Sequence, residues 1–344
     1  MTLRTTIPLQ SAKDLRTAVA AAPDELYIEV TNRCNLKCHT CPQFFGMGEA
    51  FHTLEWDRFV ALVNQVPSLR RVVLHGIGEP LMNAELPRMV RYLKARGAYV
   101  LFNSNGLLLR GQKARDLATS GLDELRVSID GGTPATYKKV RGIDGFDRIL
   151  RNLDAFAASK RALGVTDPRV SLWVTLLRSN VADLPELVRV AAQHQVPEVY
   201  LQRLVYSERG LATLEESLWS RATESDLAAV AEAERLAVEL GVTLRGSGEL
   251  GVGVVEAGRE ADPAPWRGCH RPWRLMYVTA NGNVLPCCIA PFTEAPYQEI
   301  VLGNLNSNTL DEVWNGERYG AWRLAMLEGE PPAACKSCGS NWSL

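Results

Sequence analysis

Cys34-Asn35-Leu36-Lys37-Cys38-His39-Thr40-Cys41 decides how this chain is read: three cysteines at C-x3-C-x2-C spacing, placed just after the apolar run Leu26-Tyr27-Ile28-Glu29-Val30. Three thiolates on one short loop can hold three corners of a [4Fe–4S] cube. The fourth iron then has no protein ligand. An open metal position is where chemistry happens, whereas a closed structural site uses all of its positions. Taken by itself, the loop also admits a zinc knuckle.

The run before the loop opens a regular alternation. Apolar, β-rich runs occur at 25–30, 71–75, 98–103, 124–129, 169–176 and 198–204, with helical patterns between them at about 54–66, 84–96, 110–120, 145–160 and 182–194. A last helical stretch, rich in Ala, Glu and Leu, covers 225–240. Strands in series, each followed by a helical stretch, predict an α/β fold with a parallel sheet covered by helices. The pattern does not separate an open sheet from a curved partial barrel. Residues 1–23 read as an N-terminal arm or short amphipathic helix, residues 24–245 as the main unit, and 246–268, dense in Gly, Pro and charge, as a linker. A second module then spans 269–344. In it Leu275 to Thr279, Ala280-Asn281-Gly282-Asn283 and Val284-Leu285 predict a β-hairpin, Asn281-Gly282 being a preferred type I′ turn pair. Thr309-x-x-Glu312 is a capping box opening a helix that carries Leu310, Val313 and Trp314.

The 344 residues suffice for one large domain, or one plus a small one, and their hydrophobic share is ordinary for a globular protein. A net charge of −1 gives no broad electrostatic footprint for nucleic acid or an anionic membrane. No apolar stretch is long enough to span a bilayer. Lys13, Asp14 and Arg16 interrupt any apolar core of a secretory signal. Eight cysteines grouped at ligand-like spacings, without such a signal, point to the cytoplasm.

Polar residues gather where strands end. His75-Gly76-Ile77-Gly78-Glu79-Pro80 follows the second strand, Asn103-Ser104-Asn105-Gly106 ends the third, and Ser128-Ile129-Asp130-Gly131-Gly132 ends the fourth. Turn chemistry favours the same residue types. His75 is read as a packed core histidine rather than a catalyst. The second module carries Cys269, Cys287, Cys288, Cys335 and Cys338, five thiols where a closed cluster takes four. Neighbouring side chains diverge on a strand, so Cys287 and Cys288 are not expected to serve one cluster together.

On the cysteine loop and the Gly-Glu-Pro edge behind it, the chain resembles radical S-adenosylmethionine (SAM) enzymes. The resemblance implies a partial (β/α)6 TIM-like barrel with chemistry at the C-terminal ends of its strands. Cys34, Cys38 and Cys41 would hold a cluster whose open iron binds SAM, and cleavage of SAM would give a 5′-deoxyadenosyl radical that takes a hydrogen atom from the substrate. It implies SAM contacts at Gly78, Glu79, Pro80, Ser104, Ser128, Asp130 and Arg141. Thr40 replaces the aromatic that usually precedes the third cysteine, and its backbone would meet the adenine. The second module resembles the small α+β auxiliary-cluster domain called Twitch, the short form of SPASM. That implies a second, closed [4Fe–4S] cluster on Cys269, Cys287, Cys335 and Cys338, zinc being the competing metal.

The spare thiol of Cys288 is expected to face the barrel mouth as a hydrogen-atom donor, with a small buried hydrophobe as the plain alternative. Twitch relatives make a sugar- or aminocyclitol-type substrate, attacked at a hydroxyl-bearing carbon and epimerised, the leading expectation. Oxidation of that carbon to a ketone, modification of a ribosomal peptide by a SPASM enzyme, and a zinc-stapled scaffold without activity are the alternatives. The absence of the terminal Gly-Gly expected of the molybdenum-cofactor cyclase family separates the chain from that group. A low-potential electron donor such as flavodoxin or ferredoxin is the expected partner.

Overall fold

The computed structural model describes residues 22–46, 48–205, 207–218, 221–246, 264–336 and 338. Most of the expected arm, most of the expected linker and the last six residues lie outside them. Strands β1 (Glu25–Ile28), β2 (Arg71–Val73), β3 (Tyr99–Ser104), β4 (Glu124–Ser128), β5 (Arg169–Leu176) and β6 (Glu198–Arg203) fall within a residue or two of the predicted runs. Helices α1 (Trp56–Asn64), α2 (Leu86–Ala95), α3 (Gly111–Ala118), α4 (Pro134–Arg141), α5 (Phe146–Leu163), α6 (Leu184–Gln193) and α7 (Glu224–Leu240) separate and follow them. A seventh parallel strand, β7 (Thr243–Gly246), pairs with β6 where the sequence placed the end of the main unit. Among the described residues no helix is long and apolar enough to cross a membrane.

The strands obey the two-residue period of a sheet. Leu26, Ile28, Val72, Val100, Phe102, Leu125, Val127, Leu172 and Val174 are fully buried under the helices. The alternate positions, among them Tyr27, Arg71, Asn103, Arg126, Trp173 and Tyr200, line the hollow of a partial barrel.

The second module is an extension of this barrel rather than a body hung from it. Its strands β8 (Leu275–Val278), β9 (Asn283–Leu285) and β10 (Gly303–Asn304) complete one ten-stranded sheet in the order β10-β9-β8-β1-β2-β3-β4-β5-β6-β7. β8 runs parallel to β1, with Glu25 opposite Leu275 and Ile28 opposite Val278. One apolar core joins Leu26 and Ile28 to Val284, Trp314 and Tyr319. Buried Glu29 ties the two parts. Its carboxylate accepts from Ile77 N at 2.6 Å, Tyr277 Oη at 3.2 Å and Ala280 N at 3.2 Å.

The hairpin is present, but its turn is not type I′. Gly282 N donates to Thr279 O at 2.9 Å and Thr279 N to Asn283 O at 2.8 Å. Only Gly282, at φ 83°, takes a left-handed conformation there. This is a three-residue loop built on a type I turn with glycine in the bulge, the next most common way to join twisted strands. Glu49, from the chain after the cysteine loop, explains the preference: it accepts from Thr279 Oγ1 at 2.7 Å, Asn281 Nδ2 at 2.9 Å and Asn283 Nδ2 at 2.6 Å, and from Tyr297 Oη. The capping box opens α8 (Leu310–Trp314) as expected, and α9 (Glu317–Glu328) follows it.

Candidate active site

The cysteine loop leaves β1 and is held in shape before any metal is considered. The end of α4 receives it: His39 N donates to Val140 O at 2.9 Å, and His39 Nδ1 meets Lys139 O at 2.8 Å. The loop thereby satisfies carbonyls that a helix C-terminus leaves open. On the other side, Glu79 N donates to Arg33 O at 2.9 Å. Gly78 allows this approach, because a Cβ there would collide with the carbonyl oxygens of Thr31 and Arg33. Besides lining the cavity, Gly78 makes room for residues 31–33, the segment leading into the cysteine loop.

Cys34, Cys38 and Cys41 line one cavity of about 190 Å³ together with Thr40, Gly78, Glu79, Ser104, Ser128, Asp130 and Arg141. Burial pushes the Cys34 and Cys41 thiols up to about 12, so loading iron here releases protons. Among the described residues no three His, Cys, Asp or Glu side chains close on a point that would take a single metal ion. A four-iron cube is a larger body and asks its thiolates to stand apart. Two lining side chains carry buried nitrogen atoms without a partner among the described residues, His75 Nδ1 and Arg141 Nε. Such open polar positions suit a polar guest like SAM.

Two of the expected SAM side chains are engaged with the fold itself. Buried Glu79 accepts from Ser104 Oγ at 2.8 Å, Asn105 N at 2.7 Å and Leu81 N at 3.1 Å, and Ser104 Oγ in turn accepts from Gly106 N at 3.0 Å. Glu79 and Ser104 therefore lock the exits of β2 and β3 together. Pro80 opens a short helical turn and is absent from the cavity wall. Asp130 and Arg141 form a buried ion pair, Arg141 Nη2 to Asp130 Oδ2 at 2.9 Å, while Arg141 Nη1 reaches Cys38 Sγ at 3.5 Å. Asp130, at φ 53°, turns the chain after β4 so that its other oxygen accepts from Thr175 N at 2.6 Å. The pair puts a guanidinium beside the cluster cysteines, and half-buried Ser128 stands open beside it.

Cys269, Cys287, Cys335 and Cys338 line a second, mostly apolar pocket with Trp266, Trp322 and Met326. Burial pushes the Cys269 and Cys335 thiols up. This donor set fits a closed cluster. Cys288 is not in that pocket. It lines the SAM-side cavity and a further cavity of about 450 Å³ inside the barrel, and its thiol interacts with Arg271, Cys287 and Tyr27. The two cavities share His75, Asn103, Gln202, Cys288 and Ile289.

His75, set aside in the sequence, belongs to this junction. Burial, then the charge of Arg126, lowers its pKa to about 4, which keeps the ring neutral. Thr175, Gln202 and Arg203, at the ends of β5 and β6, were also missed. The signal for Thr175 and Gln202 was the alternation Ser171-Trp173-Thr175 and Glu198-Tyr200-Gln202, polar or amphipathic at each of these positions of otherwise apolar strands; Arg203 lies outside that alternation.

Comparison with known proteins agrees with this geometry. The Radical SAM superfamily profile matches residues 28–191, and the SPASM iron–sulfur cluster-binding domain profile matches 269–339. A PqqA peptide cyclase of Gluconobacter oxydans is 27% identical over 325 residues, 93% of this chain and 84% of the relative's length. An Fe-coproporphyrin III synthase of Methanosarcina barkeri is 31% identical over 191 residues, 55% of this chain and 46% of the relative. Among solved structures, Streptococcus suis SuiB bound to S-adenosylmethionine superposes with a TM-score of 0.65 at 15% identity, covering 88% of this chain and 68% of SuiB. The anSMEcpe structure with AdoMet and the Cp18Cys peptide gives 0.60 at 17% identity, covering 86% of this chain and 81% of the other. These two likenesses concern the fold.

Proposed function

Because the chain belongs to the radical SAM superfamily and ends in a SPASM iron–sulfur domain, we propose that it modifies a peptide by abstracting a hydrogen atom from one of its carbons. It uses SAM and two [4Fe–4S] clusters, one of them auxiliary. The observation that carries the peptide reading is the reach of the PqqA peptide cyclase match, which runs through both parts of the chain, 93% of its length. The sugar or aminocyclitol substrate expected from the second cysteine set gives way to a peptide on that ground.

When bound, SAM and the loop cluster supply a 5′-deoxyadenosyl radical. The protein's own residues set what happens around it. Arg141, fixed by Asp130, holds a positive charge beside Cys38. Neutral His75 offers a nitrogen at the junction of the two cavities. Cys269, Cys287, Cys335 and Cys338 would hold the auxiliary cluster in the pocket that Ile289 also lines, and the cluster would supply an electron acceptor there. A flavodoxin or ferredoxin would supply the electron that starts each turnover.

Anaerobic protein incubated with SAM and a reductant tests the reading against two panels: peptides encoded beside the gene, and sugars with aminocyclitols. Release of 5′-deoxyadenosine stimulated by a peptide is the expected result. Stimulation by sugars alone contradicts it.

The position of Cys288 favours one outcome within the peptide class. Its thiol lines both cavities and stays out of the cluster pocket, which suits return of a hydrogen atom to the substrate and inversion of the attacked carbon. The sulfur radical left behind would be restored to the thiol by a second electron from the external donor and a proton from solvent. In deuterated water the inverted carbon then acquires deuterium, and Cys288→Ala still releases 5′-deoxyadenosine but yields no inverted product. Unlabelled product, or normal inversion by the variant, removes that role.

A further inference from the structure

The interiors of closed (β/α) barrels are commonly filled with branched apolar side chains. The 450 Å³ cavity inside this one is walled by charge. Arg71, Arg126, Arg169, Arg245, Arg271 and Arg274 line it, against Glu25, Glu124 and Glu198. The three carboxylates are already shared out. Glu25 meets Arg71 at 3.1 Å and Arg274 at 3.8 Å, Glu124 meets Arg126 at 2.9 Å and Arg169 at 3.3 Å, and Glu198 meets Arg169 at 3.5 Å and Arg245 at only 4.0 Å. Among the described residues Arg271 makes no ion pair with a carboxylate, and it lines both this cavity and the auxiliary-cysteine pocket. A closed cluster behind Arg271 offsets part of this surplus of cations. The Arg245 and Arg274 side chains are 60% and 57% exposed, so the guanidiniums on this open side of the cavity are met by water that an entering anion can displace.

The rest of the wall is flat and aromatic. Trp173 and Tyr200 stack with centroids 4.1 Å apart and planes 15° from parallel, and Arg126 lies over Trp173 at 4.1 Å. The aromatic faces offer a surface for the carbon skeleton that carries an anion. Through His75, Asn103, Gln202, Cys288 and Ile289 the same cavity opens onto the cluster loop, so a group held among the arginines reaches toward the reacting atoms.

We propose that this cavity binds a carboxylate of the substrate, held between Arg271 and Arg245, the two guanidiniums least engaged with glutamate, with the adjoining chain lying along Trp173 and Tyr200. Planar carboxylate matches the guanidinium fork. The substrate class rests on the peptide reading, and an acidic side chain and a C-terminal carboxylate share the required chemistry.

Calorimetric titration of the anaerobic two-cluster protein, saturated with SAM, separates these sources. The probes are Ac-Ala-Glu-Ala-NH2, Ac-Ala-Gln-Ala-NH2, Ac-Ala-Ala-Ala with a free carboxylate, glucuronate and glucose. At least one acidic peptide binds about tenfold tighter than the glutamine peptide, and the tighter of the two names the source. Arg271→Gln and Arg245→Gln each cut that preference to about threefold or less, while Arg271→Lys keeps part of it. Iron content and the visible absorbance of each variant confirm that it is folded and loaded. Equal binding of acidic and neutral peptides, no saturation by any carboxylate up to about 10 mM, or full preference in both glutamine variants overturns the proposal. Glucuronate binding tighter than every acidic peptide leaves the carboxylate site standing and sinks the peptide reading. Peptide binding indifferent to the carboxylate does the reverse.

Discussion

Cys34, Cys38 and Cys41 stand on a loop that two neighbours hold, the end of α4 through His39 and the Gly78–Glu79 edge through Arg33. Replacing all three with Ala is expected to abolish 5′-deoxyadenosine release and to lower iron from about eight to about four per chain, the auxiliary cube remaining. Persistent SAM cleavage, or loss of all iron, would show that the two cysteine sets were wrongly divided. His75 gives a pH test. Its pKa is lowered to about 4 by burial and Arg126, so the unfolded chain takes up this proton first. The native state therefore loses stability as pH falls from about 6.5 toward 4, and gains no further loss from this group below that. His75→Asn should melt with a shallower decline between pH 7 and pH 5 than the parent; parallel declines would contradict the buried neutral ring. At this scale the grouping of the cysteines was legible, since Cys34, Cys38 and Cys41 line one cavity and Cys269, Cys287, Cys335 and Cys338 another. The hydrogen bonds that join Glu79 to Ser104 and Asn105 were not legible, because local sequence does not say that two strand ends face one another.

Most elements could be read from hydrophobic period alone, since β1 to β6 and the helices between them carry long, regular patterns. What stayed hidden was pairing between distant segments. β8 lies parallel to β1 although Glu25 and its partner Leu275 are 250 positions apart, and nothing local marks Leu275-Met276-Tyr277-Val278 as the continuation of a barrel. The hairpin turn was misassigned for the same reason, because Glu49 grips Thr279, Asn281 and Asn283 from outside the hairpin. Glu49→Ala leaves those donors to water or to nothing, at a cost of roughly 2–3 kcal/mol. Hydrogen exchange in 279–283 should quicken about tenfold or more, with exchange in β3 to β5 unchanged. Unaltered exchange in the hairpin would mean that β1–β8 pairing alone holds the module.

For the whole molecule, the sheet that joins barrel and module also joins their chemistry. The cysteine loop, the arginine-lined cavity and the auxiliary cysteines lie along one continuous interior, with Cys288, Ile289 and Arg271 where they meet. That continuity suits a substrate held at one end while it is oxidised or inverted at the other. The radical SAM class was legible because its motif is short and local. The substrate was not, because cavity walls assembled from eight strands leave no contiguous trace. The most direct test follows one atom. A peptide that stimulates turnover is prepared perdeuterated and incubated anaerobically with SAM and a reductant, and the 5′-deoxyadenosine is weighed by mass spectrometry. One deuterium in 5′-deoxyadenosine, accompanied by a modified peptide, is the expected result. Unlabelled 5′-deoxyadenosine beside an unchanged peptide would contradict hydrogen abstraction from a peptide carbon.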